Sequence, residues 1–124
     1  MSWHLVTRPE VESDIDQGAQ WYDEREPETG LGREFAREIW RTIDQLLENP
    51  LLYRVRDPKL QVRWVIPLRF PHRVVYVVKN DWIVILGIIH TAMQDCEWKK
   101  RAKEAALGKA APQPRDRRSL LRVV

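Results

Sequence analysis

The hydrophobic period changes at Pro50, and that change limits what this chain can become. Before it, Val11, Ile15, Ala19 and Tyr22, and then Leu31, Phe35, Ile39, Ile43, Leu46 and Leu47, recur at the three- and four-residue spacing of helices. After it, Val62 to Leu68, Arg73 to Lys79 and Trp82 to His90 are runs of β-branched and aromatic residues that read as strands. One element type cannot satisfy both periods, so the fold class is α+β.

The connections order these pieces. Trp3 to Thr7 reads as a first strand, and Thr7-Arg8-Pro9-Glu10 as a helix start with Thr7 as its cap. Gly18 lies among the inward positions of this first helix, where it lets a second helix approach. Glu26-Pro27-Glu28-Thr29-Gly30 ends the first helix, and the second runs from about Leu31 to Glu48 before Pro50 stops it. So short a link predicts an antiparallel helical hairpin. The turns Phe70-Pro71-His72 and Asn80-Asp81 predict a three-stranded antiparallel meander. Its last run, apolar on both faces, should be the central and most covered strand. The expected architecture is an N-terminal strand, the hairpin and the meander, with helices packed on one sheet face. Glu97 to Arg101 reads as one helical turn. Residues 1–104 form one expected domain, and 105–124 a basic tail without periodicity.

Composition narrows the function classes. A length of 124 residues supports one core. The longest apolar run, Trp82 to Ile89, is too short to span a bilayer, and the N-terminus does not have the pattern of an export signal. Lone Cys96 cannot form an internal disulfide, which fits a cytoplasmic protein. His4, His72, His90 and Cys96 lack metal-ligand spacing, and Gly30-Leu31-Gly32 does not follow a strand, so neither a metal nor a cofactor is expected. Charge is divided: residues 1–50 carry five Arg against twelve Asp or Glu, a net of −7, whereas 51–124 carry sixteen basic against six acidic groups, a net of +10. Such a division suits a polyanion or an acidic partner on one side.

Particular residues carry the functional expectations. If the alternation of Val62 to Leu68 continues, Arg63 and Arg69 share a strand face, and Arg73 joins them in an anion-facing patch. Trp64 packs inward with Ile66 and Leu68. Trp21 and Trp40 fall off the apolar stripes of their helices and are candidate partner contacts. Arg33, Arg37 and Arg41 form a basic line that Glu34 and Glu38 should neutralise along the helix, giving a solvated face. His90 closes a buried strand, where it serves either as a structural residue or as an acid–base group.

Five spaced pieces then resemble one family. They are Trp21-Tyr22 with Glu24-Arg25 leading into Gly30 to Phe35; Glu48-Asn49-Pro50; Arg63; the stretch Leu68 to Tyr76; and His90 followed by Trp98 and Arg101. Together they are similar to the RelE/ParE superfamily of type II toxins, over about residues 1–101. Members commonly carry an arginine three residues after the histidine, where this chain has Met93; one cation is missing from that edge. The resemblance implies a cognate antitoxin as partner and two possible modes of action. ParE-like members bind and poison DNA gyrase; RelE-like members cleave messenger RNA on the ribosome. Cleavage at a 2′-OH needs a base, cations and an acid. His90, Arg63 and Arg73 are the candidates, but none of the three tyrosines follows the last strand. The helical hairpin and the Trp98 to Arg101 ending look closer to ParE. That reading makes Arg63, Arg69, Arg73, Trp98, Arg101, Trp21 and Trp40 partner-facing and needs no catalytic set. An inactivated toxin kept as an antitoxin-binding module is the third reading, and in any of the three a homodimer or a hetero-oligomer with the antitoxin is the expected assembly.

Overall fold

In a computed structural model, which describes residues 3–93 and 96–106, the helical hairpin lies across a five-stranded sheet. The elements are β1 (His4–Thr7), α1 (Glu10–Arg25), α2 (Leu31–Gln45), β2 (Val55–Asp57), β3 (Val62–Val65), β4 (His72–Lys79), β5 (Trp82–His90) and α3 (Cys96–Ala106). The strand order is β1-β5-β4-β3-β2; β1 runs parallel to β5 and the other pairs are antiparallel. The expected strand, hairpin and meander are all present. β5 is covered on both faces as expected, although β4 holds the sheet centre.

The hairpin packs as its periods predict. Val11 and Ile15 of α1, with Phe35, Ile39 and Ile43 of α2, are buried on a sheet face formed by Leu5, Val74, Tyr76, Ile83, Ile85 and Ile88. Gly18 has the expected role: a Cβ there would lie 2.5 Å from the Phe35 ring. Thr7, by contrast, ends β1 and caps nothing, and α1 begins at Glu10 after Pro9, which stands at the cap position without a side-chain hydrogen bond. Strand β3 stops at Val65, three residues short of the expected end, ahead of Pro67. The edge strand β2 was not signalled, being only three residues long and flanked by charge.

The expectation of helices on one face is amended by α3. It runs for eleven residues and covers the opposite face, where Trp98 and Ala102 meet Val6, Val75, Val77, Val84, Leu86 and Ile89. A bulge at Leu86 makes this possible: Tyr76 pairs with Ile85 and Val75 with Gly87, so Ile85 and Ile88 share the hairpin face. Trp64 therefore does not pack with Ile66 and Leu68. It tilts against Trp98 with ring centroids 5.6 Å apart, while Ile66 and Leu68 lie beyond the strand, exposed. Residues 107–124, most of the expected tail, lie outside the described residues.

Candidate functional site

Strand β1 is shorter than β5, and this difference opens a pocket. β1 accompanies β5 only from Trp82 to Ile85, so the far half of that strand lacks a backbone neighbour on this side. Side chains substitute. Asp14 Oδ2 accepts the Ile88 N–H at 2.9 Å, and Arg101 Nη1 donates to the Leu86 carbonyl at 3.1 Å. The two side chains also pair, Arg101 Nη1 to Asp14 Oδ2 at 2.7 Å, directly above Gly87. A Cβ on Gly87 would run into Arg101 and lie 2.9 Å from Asp14 Oδ2, so glycine is required by the clasp. Arg101 is bonded to Glu97 as well, at 3.3 Å. Burial, the largest single influence, would lower its pKa, but the bond to Asp14 together with the charges of Asp14, Glu97 and Glu10 outweighs this and raises it.

Beyond the clasp lies a cavity of about 380 Å³ between α1, the end of β5 and the start of α3. Its floor holds two histidines. The β4–β5 register sets His72 opposite His90, ring centroids 4.9 Å apart and edge to face. His72 is buried against Phe35, and its Nε2 lies 3.3 Å from the Tyr22 hydroxyl. Burial, with His90 beside it, pushes the His72 imidazole down to about 4, so it is neutral at physiological pH. His90 Nδ1 accepts the Ala92 N–H at 2.9 Å, which leaves the proton of a neutral ring on Nε2. Trp21 stands at the rim, 48% exposed, with the Arg25 guanidinium 3.7 Å above its ring. Met93 lines the same rim.

The arginines expected to form one patch are scattered. Arg63 points to the hairpin side and donates to the carbonyls of Leu51 and Tyr53. Arg69 lies after β3 rather than on it, paired with Glu34 at 3.1 Å. Arg73 points to the opposite face, buried, 4.9 Å from the Trp64 ring centroid and bonded to the Met93 carbonyl at 3.1 Å. The shared strand face fails because β3 ends before residue 69, and adjacent register positions point to opposite sides. Trp98 and Trp40 are both buried, 2% and 7% exposed, and Arg101 is buried in its clasp. Trp40 extends the α2 stripe into a wider buried face than its spacing suggested. Of the expected partner contacts, Trp21 and Arg69 are the exposed ones.

The family described as the ParE toxin of type II toxin–antitoxin system, parDE, matches residues 5–95. This chain belongs to the ParE toxin family. The toxin also has the fold of a solved structure described as the chromosomal ParDE toxin–antitoxin system from P. aeruginosa. That match has a TM-score of 0.60 at 24% identity, covering 72% of this chain and 96% of that one. No protein of curated function matches.

Chemically, the pocket of this ParE-family toxin is poor at holding phosphate. Its one cationic side chain among the described lining residues, Arg101, sits between the Asp14 and Glu97 carboxylates. No group of three or more His, Cys, Asp or Glu side chains suited to a metal occurs among the described residues. Sequence reasoning found His90 but missed His72, Tyr22 and Asp14. The histidine pair had only part of a signal: a hairpin turning at Asn80-Asp81 would by itself set His72 opposite Ile89, and the bulge at Leu86 brings His90 there instead. Asp14 had none, because its partner Arg101 lies 87 residues away.

Proposed function

We propose that this toxin arrests growth by binding DNA gyrase in the cytoplasm, with no chemical step of its own, and that a cognate antitoxin neutralises it. The observation that carries this reading is the state of its cations. Arg63 and Arg73 are committed to backbone carbonyls on opposite sheet faces, and Arg101 is neutralised by two carboxylates. A cleaving site needs unpaired positive charge beside its acid–base group to stabilise a phosphorane-like transition state. Among the described residues, the one guanidinium that lines the cavity with His90 is Arg101, already paired with carboxylates, and Met93 stands where another cation would be. A gyrase poison needs only a shaped surface, which the exposed Trp21 rim provides.

One observation favours ribosome-dependent RNA cleavage instead: His72, His90 and Tyr22 are clustered around one cavity. Pulse labelling after induction of the toxin alone separates the readings. DNA synthesis is expected to fall first, and purified toxin is expected to block gyrase supercoiling until antitoxin is added. If protein synthesis fell first, RNA cleavage would replace the gyrase reading. If folded toxin arrested neither, the chain would be an inactive antitoxin-binding module.

A further inference from the structure

The sheet face that α3 covers gathers cations from three elements. Arg56 of β2 sets its guanidinium 5.2 Å from the centroid of the Trp64 ring, and Arg73 of β4 approaches the same ring to 4.9 Å. Trp64 in turn tilts against Trp98, and Lys99 Nζ lies 5.6 Å from the Trp98 centroid. Three cations thus gather on two touching rings. A ring holds a cation in place but, unlike a carboxylate, leaves its charge intact. Arg56 and Lys99 are exposed, as are Lys100 and Lys103 farther along α3. Among the described residues no ion pair joins any of these four to a carboxylate. Three carboxylates close by in sequence are committed elsewhere. Asp57 accepts the backbone N–H groups of Lys59 and Leu60, Glu97 pairs with Arg101, and Glu104 pairs with Arg8.

Charge without apolar surface selects the occupant. Among the described residues the exposed large apolar side chains stand on α1 and in loops, and none stands on β2, β3 or α3. A protein interface is built around an apolar centre, so cations lacking one suit a phosphate backbone. Single-stranded nucleic acid is gripped by bases stacked on open aromatic rings. Here Trp64 already meets Arg56, Arg73 and Trp98, and Trp98 is buried, which leaves little ring surface for a base. The histidines lie on the hairpin face, with His72 against Phe35, so this charge is separated from the acid–base cluster and serves binding rather than cleavage. We infer that Arg56 and Lys99, with neighbouring Lys100, hold the phosphate backbone of duplex DNA, so that the toxin grips the DNA on which gyrase acts as well as the enzyme. The choice of DNA rests on the gyrase half of the proposed function.

The test is fluorescence anisotropy of a labelled duplex of about thirty base pairs, titrated with the full-length toxin at several salt concentrations. The wild type is expected to bind with a slope of log affinity against log salt of about −3, as about three phosphate contacts require. Arg56→Gln/Lys99→Gln should bind at least about tenfold more weakly and lose about two units of that slope. Arg33→Gln/Arg37→Gln removes the same charge from exposed positions on α2, where Glu34 and Glu38 turn to Arg69 rather than to Arg37 and Arg41. It should bind within about twofold of the wild type, and far-UV circular dichroism checks that each variant folds. Equal weakening in both variants would mean that net charge alone drives binding and would overturn the inference. So would tighter binding to duplex RNA or to single strands, or loss of gyrase inhibition in Arg56→Gln/Lys99→Gln with DNA affinity intact. A wild type that blocked supercoiling yet bound no duplex at low salt would sink the inference and leave the gyrase reading standing. If it bound DNA through this face but did not block supercoiling, the gyrase reading would fall and the DNA-binding face would stand.

Discussion

At the scale of single residues, the most telling position is His72. Its neighbours Tyr22, Phe35 and His90 withhold water from the ring, and its pKa falls from an ordinary 6.5 to about 4. Between those values the unfolded chain binds a proton that the folded chain refuses. Stability is therefore complete above pH 6.5 and is lost as the pH falls towards 4, with a slope of at most about 1.4 kcal/mol per pH unit. The urea midpoint should fall between pH 7 and pH 5, and His72→Gln should flatten that fall even if it lowers stability at neutral pH. An unchanged slope in the variant would mean that another group carries the dependence.

At the scale of elements, α3 depends on polar clasps as much as on its apolar stripe. Arg101 pins it to Asp14 of α1 and to the Leu86 carbonyl of β5, and Glu104 pairs with buried Arg8 at 2.8 Å. Trp98 and Ala102 supply the apolar contact between them. Arg101→Met should cost about 3 kcal/mol, because Asp14 is left charged and mostly buried without its partner. The companion change Asp14→Asn should recover part of that loss, and a double-mutant cycle in urea measures the coupling. Purely additive effects would mean that the pair contributes only by packing. Hydrogen exchange should be fastest in α3 in the Arg101→Met protein, since the clasp and not the hairpin core has been cut.

At the scale of the whole molecule, two apolar layers share one sheet. Val74 and Tyr76 face the hairpin while Val75 and Val77 face α3, so β4 and β5 cannot lose one layer and keep the other intact. Unfolding should be a single cooperative transition, with circular dichroism and tryptophan fluorescence coinciding. A fluorescence change that preceded the loss of helix would show α3 leaving first. The two flanks of the hairpin also differ in character. The pocket beside α1 holds histidines and a neutralised ion pair, whereas the groove beside α2 sets Ile66 and Leu68 beside Glu38, Arg41 and Arg69.

Much of this was already present in the local pattern. The spacing of Phe35, Ile39 and Ile43 determined α2, Gly18 marked the helix crossing, and the turns at Phe70-Pro71 and Asn80-Asp81 determined the meander. These are properties of neighbours in the chain, and period and turn chemistry record them directly. His90 could be singled out in the same way, as the polar end of an apolar strand. What only the tertiary structure decided involves partners far apart in sequence. Arg63 and Arg73 were expected on one patch, but strand register sent them to opposite faces. Arg101 was expected to face a partner, but Asp14 holds it inside. Glu34 and Glu38 were expected to neutralise their own helix, but a loop more than thirty residues away captured them. A charged side chain takes whichever opposite charge folding brings within reach, and that choice is made in space rather than along the chain.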